Sequence, residues 1–208
     1  MSGGGRHVTD DQLRIVPANE ASWEDLQAVI GTADAGLCQC QRFKLQPQES
    51  FRSFPAEQRA SRLRAQTNCG HPESRTTSGL DGEPAGWCAV EPRSAYEGLL
   101  RVYRVPWAGR EEDKTDGSVW AVTCLIVRKG FRGRGLTYPL ARGAVEFARE
   151  RGARALEAYP RITQPGKEIT WGELHVGARQ VFESAGFAEV SHPTPRRVVM
   201  RIDFEPAR

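Results

Sequence analysis

Apolar and polar positions alternate along this chain in blocks that predict both strands and helices. The clearest block is Val119–Val127, where nearly every residue is apolar, as is typical of a strand buried on both faces. After a glycine-rich turn, apolar residues recur at helical spacing until Gly152: Leu140, Ala144, Phe147 and Ala148. A second apolar run, at 155–159, predicts another strand. This half of the chain therefore predicts strand, turn, helix and strand in succession.

Weaker patterns place further elements around this unit. Ser22 precedes a helical pattern that extends to Ile30, and Asp25 completes a box-like capping pair with it. Asp81-Gly82 is a hairpin signal between strand-like segments at 75–80 and 85–90. The remaining predictions are a strand at 13–16, helices at 55–66, 94–101 and 178–186, and a C-terminal hairpin that ends in a strand at 197–204. This order of elements predicts an α/β (α+β) domain with a mixed, mostly antiparallel sheet.

The glycine-rich turn has the composition of a phosphate-binding loop. Gly133 and Gly135 lack a Cβ, so backbone N–H groups there can approach an anion closely. The helix that follows adds N–H donors and the positive end of its dipole. Four cations crowd seven residues of the turn: Arg128, Lys129, Arg132 and Arg134. The sequence therefore predicts a polyphosphate ligand.

Two common phosphate-binding motifs do not fit this turn. A Walker A loop requires Lys-Ser or Lys-Thr after its last glycine, and Leu136 follows here instead. A dinucleotide fingerprint requires three spaced glycines near the start of a βαβ unit, with an acidic residue about 20 positions further on. Only Glu157 falls near that distance, and the turn lies late in the chain.

The segment Arg132-Gly-Arg-Gly135-Leu-Thr137 instead resembles the pyrophosphate loop of the GNAT superfamily of acyl-CoA-dependent N-acyltransferases, Gln/Arg-x-x-Gly-x-Gly/Ala, and departs from it at Thr137. Residues 178–187 resemble the second signature of that family, and the resemblance covers residues 119–204 well. It implies two splayed parallel central strands in the sheet, with acetyl-CoA bound as acyl donor between them. The residues implied in cofactor binding are Leu125, Ile126, Val127, Arg132, Gly133, Arg134, Gly135, Leu136 and Thr137.

The resemblance leaves the proton-transfer group open. A tyrosine on the last helix commonly protonates the leaving thiolate in that family, and the aligned residue here is Phe182. Acyl transfer also requires a base that takes the proton of the amine. Glu157, Tyr159 and His175 are the candidates, because they lie near the second splayed strand or before the last helix. Each also has a purely structural interpretation, as a strand-edge carboxylate, a strand end and a helix-start residue.

Composition restricts the partners and the compartment. The 208 residues carry a formal net charge of +3, too small for a general nucleic-acid binder. The sequence has no apolar stretch long enough for a membrane span and no signal-peptide pattern, so we expect a cytoplasmic protein. Its five cysteines are expected to be free thiols. A zinc site is the alternative, but its thiol spacing is poor and we predict no metal; its ligands would be Cys38, Cys40, Cys69 and His71.

The sequence predicts a single domain at 9–208 behind a disordered tail at 1–8. Its predicted function is N-acetyl transfer from acetyl-CoA to a primary amine of a small molecule or peptide. Two alternatives stay open: an acyl-CoA-binding sensor without turnover, which the phenylalanine at position 182 favours, and an acyltransferase acting on aminoacyl-tRNA, against which the small net charge argues. No membrane partner is expected, and a homodimer is left open.

Overall fold

A seven-stranded sheet runs through the computed structural model, which describes residues 13–31, 37–68, 76–80, 82–164, 166 and 169–205. The strands lie in the order β1-β2-β3-β4-β5-β7-β6, and every neighbouring pair is antiparallel except β4 and β5. Their bounds are β1 Leu13–Pro17, β2 Thr76–Leu80, β3 Glu83–Pro92, β4 Val119–Val127, β5 Ala155–Ala158, β6 Ala188–Thr194 and β7 Arg197–Asp203. The mixed, mostly antiparallel sheet predicted from the sequence is confirmed.

Helices flank this sheet. The α-helices are α1 Trp23–Ile30, α2 Ala56–Gln66, α3 Glu97–Arg101, α4 Thr137–Glu150, α5 Trp171–Leu174 and α6 Arg179–Ser184. Short 3-10 turns cover Ala18–Glu20, Arg42–Lys44, Arg93–Ala95 and Lys129–Phe131. The predicted cap of α1 is present, because Ser22 Oγ accepts a hydrogen bond from the Asp25 N–H at 3.0 Å. The predicted hairpin is confirmed by the antiparallel pairing of β2 and β3, with Leu80 opposite Glu83, while Asp81 itself lies outside the described residues.

The two faces of the sheet carry separate cores. On one face, apolar residues of α4 and α6 such as Leu140 and Phe182 pack on Val122 and Leu125 of β4. On the other face, α1 packs on Trp87, Cys124 and Ile126. A third cluster on that second face lies further along β4 and β5 and contains Phe43, Tyr96, Leu99, Ala121, Tyr159, Val176 and Val199.

The parallel pair β4 and β5 separates midway along β4. Their register runs from Val119 opposite Ala155 to Val122 opposite Ala158, where β5 ends. At the same level β4 contains an extra residue, Thr123, because Ala89 pairs with Cys124 and Val90 with Val122. This bulge turns Leu125 and Val127 toward α4 and leaves their side of β4 without β5 as a neighbour. The splayed strand pair implied by the resemblance is therefore present.

The segment between α5 and α6 enters the space where the strands part. The Leu125 N–H donates to the backbone oxygen of His175 at 2.6 Å. Beyond β5, Arg161 forms a parallel bridge with Ala178, and its N–H donates to the Gly177 oxygen at 3.0 Å. The backbone of residues 175–178 therefore links the two diverging strands and fixes where their opening begins.

Candidate active site

The glycine-rich turn has the backbone conformation that an anion-binding loop requires. Gly133 and Gly135 have φ angles of 76° and 78°, in the left-handed region that favours glycine. A Cβ at Gly133 would meet no atom within 4 Å, so the space beside this backbone is open. Helix α4 begins directly after it, and among the described residues no side chain caps its first turn. The Tyr138 N–H donates to the Gly135 oxygen at 3.1 Å and Pro139 has no N–H, so Thr137 supplies the first-turn N–H that stays available to an anion.

A cleft of about 330 Å³ extends from this turn into the opening beside β4. Leu125 and Val127 form one wall of the cleft, and Gly177 and Ala178 lie across from them. The cleft is mainly apolar along its length and ends at the glycine-rich turn. Its shape and chemistry fit a ligand with an extended, weakly polar arm and a phosphate group at one end.

Most of the residues predicted to bind the cofactor line this cleft: Leu125, Val127, Arg132, Gly133, Gly135, Leu136 and Thr137. Ile126 does not reach it, because strand alternation sends its side chain to the opposite face, into the cluster around Trp87. Arg134 lies over the ring of Phe131 at 5.3 Å and donates to the Gly130 oxygen at 3.3 Å. These contacts keep Arg134 beside the turn. The cofactor roles themselves stay predictions.

Phe182 lies beneath the cleft, where it is fully buried and packs edge-on against Phe187 with ring centroids 5.3 Å apart. Gly177 covers it with a φ of 80°, and a Cβ there would lie 2.6 Å from Phe182 Cε2. Phe182 has no proton to donate, so any acid for a leaving group in this cleft must come from another residue or from solvent.

Glu157 forms the centre of a buried ion-pair network on the other face of β5. Arg93 lies 3.3 Å and Arg201 3.0 Å from Oε1, and Arg110 Nη1 lies 3.2 Å from Oε2. The Glu157 side chain is 0% exposed. Three guanidinium groups therefore hold this carboxylate away from solvent.

Tyr159 belongs to the same network. Its hydroxyl donates to Glu157 Oε2 at 3.0 Å, and the side chain is almost completely buried. Burial, together with the nearby Glu157 charge, holds the pKa of the Tyr159 hydroxyl well above its ordinary value. The structure thus brings two of the three proton-transfer candidates into contact with each other.

His175 lies apart from that network, directly after Leu174, a residue that lines the cleft. Its backbone oxygen accepts from β4, and its ring faces Phe43 with centroids 6.2 Å apart. Its Nδ1 lies 2.7 Å from the Gly172 oxygen, which can only accept, so Nδ1 carries the proton. Nε2 is buried and has no hydrogen-bond partner among the described residues.

Burial is the main cause that lowers the pKa of His175 to about 4, and the positive charges of Arg42, Arg197 and Arg161 add to it. The ring is therefore neutral at neutral pH, and its Nε2 carries a lone pair that can accept a proton. The three arginines and Tyr103, which contacts Arg42, were not identified from the sequence. They come from distant parts of the chain, and no short motif marks them.

The cysteines give no metal site within the described residues. Cys38, Cys40, Cys88 and Cys124 form no disulfide bond, and nowhere in 13–31, 37–68, 76–80, 82–164, 166 and 169–205 do three His, Cys, Asp or Glu side chains gather. Cys40 accepts a hydrogen bond from Trp87 Nε1 at 2.9 Å in the α1 core. The other two suspected zinc ligands, Cys69 and His71, lie outside the described part, so the expectation of no metal stays a prediction.

A strand pair that parts beside a glycine-rich turn and a helix N-terminus is the arrangement that the resemblance to the GNAT superfamily implies. The family model described as "Acetyltransferase (GNAT) family" matches residues 42–166, more than half of the chain. The chain belongs to this family, and as a member it is an acetyl-CoA-dependent N-acetyltransferase. No curated protein matches the sequence.

Solved structures show the same fold at low sequence identity. An N-acetyltransferase from Staphylococcus aureus Mu50 is 12% identical with a TM-score of 0.52, over 92% of this chain and 98% of that one. A proposed acetyltransferase from Salmonella typhimurium, solved with acetyl-CoA, is 14% identical with a TM-score of 0.53, over 93% and 95%. A GCN5-related N-acetyltransferase from Kribbella flavida is 15% identical with a TM-score of 0.53, over 94% and 100%.

Proposed function

We propose that this protein transfers the acetyl group of acetyl-CoA to a primary amine of a small molecule or peptide, with His175 as the general base. The observation that carries the proposal is the buried Nε2 of a neutral His175, which has no hydrogen-bond partner in the described structure and directly follows Leu174 of the cleft lining. The backbone hydrogen bond that the Leu125 N–H donates to the His175 oxygen holds His175 beside β4 independently of its ring.

The cleft residues fit the donor, which supplies the acetyl group as a thioester. The N–H groups around Gly133 and Gly135 and the first turn of α4 would hold its phosphates, with Arg132 adding charge. Leu125 and Val127 would contact its extended arm. In the transfer, the amine nitrogen forms the new amide bond, its proton passes to His175 Nε2, and the bond between the acetyl carbon and sulfur breaks. CoA leaves as the thiolate, which then takes a proton from His175 or from solvent.

The choice of His175 over Glu157 and Tyr159 rests on which lone pairs are available. Both Glu157 oxygens already accept hydrogen bonds from arginines, and Oε2 also accepts from Tyr159. The Tyr159 proton is directed at Glu157 in a buried site, with the pKa of the hydroxyl raised. We therefore propose that this pair anchors β5, and that His175 takes the proton.

The test is thiol release from acetyl-CoA with a broad panel of amines, followed across pH. His175→Gln should lower kcat by about 10²- to 10⁴-fold, the usual contribution of a general base. Its affinity for CoA should stay the same, because the His175 backbone contact does not depend on the side chain. His192→Gln is the matched control, since His192 is exposed and pairs only with Glu189 among the described residues.

Full activity and an unchanged pH profile in His175→Gln would exclude His175 as the base. A wild-type protein that binds acetyl-CoA but releases no thiol with any amine would instead support the sensor alternative. That alternative has one observation in its favour, because Phe182 occupies the position of the usual acid.

We also infer that residues 9–208 act as one domain in the cytoplasm, and that a homodimer is compatible with this arrangement. A single sheet that includes strands from residue 13 to residue 203 supports the domain, and the free thiols are consistent with the compartment. No helix in the described part of the chain has the length and apolar character needed to cross a bilayer.

A further inference from the structure

The charges of three arginines act on the His175 ring, and each arginine comes from a different part of the fold. Arg42 lies in the 3-10 turn Arg42–Lys44, Arg161 follows β5, and Arg197 begins β7. Arg161 and Arg197 are bridge partners in the backbone, and all three positive charges act on His175. The fold therefore concentrates positive charge beside the proposed base.

The hydrogen-bonding capacity of this cluster is only partly used. The Nε atoms of Arg42, Arg161 and Arg197 are all buried without a hydrogen-bond partner in the described structure. Most buried polar atoms in folded proteins have a partner. Three unmatched guanidinium nitrogens at one place therefore indicate that a group outside the described residues completes the site.

The charge of the cluster is also mostly unmatched. Arg161 pairs with Glu173 at 3.1 Å. Arg197 donates to the neutral Tyr159 oxygen at 2.9 Å, and Arg42 contacts the Tyr103 hydroxyl. Within the described residues, neither Arg42 nor Arg197 forms a salt bridge with a carboxylate. Burial and the nearby Arg161 lower the pKa of Arg197 to about 10, which shows that the folded chain does not stabilise this charge.

The second buried arginine cluster provides the contrast. Arg93, Arg110 and Arg201 have side chains that are 1%, 6% and 9% exposed, and all three contact Glu157 and Glu112. This cluster thus pairs its arginines with a fully buried carboxylate, Glu157, and a partly exposed one, Glu112, although Arg93 Nε also has no hydrogen-bond partner among the described residues. The cluster beside His175 lacks that compensation, which distinguishes a binding site from a structural network.

We propose that Arg42, Arg161 and Arg197 bind an oxyanion carried by the acceptor, so that the acetylated substrate is an amine with a carboxylate or a comparable acidic group. This inference rests on the proposed function, because it names the substrate class of the same site. The planar guanidinium group matches the geometry of carboxylates and phosphates and binds them through two parallel hydrogen bonds. An acceptor held there would present its amine near His175 Nε2.

The test compares acceptors that differ only in the anion. Amino acids of increasing chain length, their carboxamides and the corresponding aminophosphonates are assayed for thiol release, with kcat/KM referred to the unprotonated amine. The kcat/KM of each acid should exceed that of its carboxamide by about 10-fold or more. The aminophosphonates show whether the site prefers a carboxylate or a phosphate-like group.

Arg42→Gln and Arg197→Gln should each lower kcat/KM for the acidic acceptor by about 10- to 100-fold, mainly through KM, and leave the amide nearly unaffected. Arg197→Lys keeps the charge without the planar fork and should fall between the wild type and Arg197→Gln. Arg154→Gln is the control, because Arg154 is an exposed arginine paired with Asp116. Thermal unfolding identifies any variant that fails to fold. If Arg197→Gln fails because it loses the hydrogen bond from Arg197 to the Tyr159 oxygen, Arg42→Gln still tests the site, since Arg42 does not form that bond.

The failure of this inference can be distinguished from the failure of the proposed function. Equal turnover of acids and amides, with both variants affecting them alike, would refute the oxyanion site while the acetyltransferase function stands. If no amine is acetylated, calorimetry with the same acids and amides still tests whether the three arginines bind an oxyanion. Heat from the acids alone, lost in Arg42→Gln and Arg197→Gln, would support the site, and no difference between acid and amide would overturn it.

Discussion

Replacing Glu157 by glutamine separates a structural carboxylate from a catalytic one. The substitution keeps the shape of the side chain and removes the charge that faces Arg93, Arg110 and Arg201. Removing one partner of a buried ion pair typically costs about 3–5 kcal/mol, because the remaining charges stay buried without compensation. Glu112 also contacts these arginines, so the lower part of this range is expected. For a domain of this size, a loss of about 3 kcal/mol corresponds to a decrease in Tm of roughly 6–12 °C.

The measurement combines urea unfolding with steady-state kinetics on protein that is still folded. Glu157→Gln should lose stability by the amount above, while its kcat at a temperature well below Tm changes by less than about 10-fold and the pH profile keeps its shape. Glu146→Gln, at an exposed position on α4, is the matched control. The reasoning would be refuted by a variant as stable as the wild type whose kcat falls by about 10²- to 10⁴-fold, since Glu157 would then be the base.

Two further predictions concern the cleft. Gly135→Asp places a side chain and a negative charge where backbone N–H groups are proposed to bind phosphate, at a residue whose φ is 78°. Calorimetry should therefore detect a loss of acetyl-CoA affinity. Unchanged affinity in a folded variant would show that the turn is not part of the binding site. Gly177→Ala should lower the free energy of unfolding by about 2–5 kcal/mol, because it combines left-handed strain with a Cβ 2.6 Å from Phe182. Gly82→Ala, at a φ of 81° with no atom near its Cβ, should show the strain alone in the same unfolding assay, and an equal loss in both variants would contradict the steric argument.

The sequence predicted the part of the fold in which neighbouring residues carry the information. The bounds of β4 and the existence of α4 followed from an apolar run and a helical repeat, and both are local patterns. The glycine-rich turn could also be predicted from the sequence, because only glycine adopts φ angles near 77° without strain. Most of the predicted cofactor residues line one cleft for the same reason.

The remaining part of the site depends on tertiary structure. The β-bulge at Thr123 has no signature in the sequence, and it decides that Leu125 and Val127 face the cleft. Strand alternation then sends the Ile126 side chain to the opposite core. The positions of Arg42, Arg161 and Arg197 around His175 result from three separate segments meeting beside the end of β5. Their spacing along the chain carries no sign of this.

An anionic acceptor would explain both the unmatched arginine charges and the low pKa of His175. A base with a pKa of about 4 accepts a proton weakly, whereas general bases work best with a pKa near the operating pH. Part of the depression comes from Arg42, Arg197 and Arg161, and only Arg161 faces a carboxylate, Glu173, within the described residues. An oxyanion bound among these guanidinium groups would neutralise part of their positive charge and so raise the pKa of His175 toward its ordinary value. Burial would limit how far the pKa rises. The acceptor with the matching charge would thus strengthen the base that deprotonates it, and a neutral amine would leave the base weak.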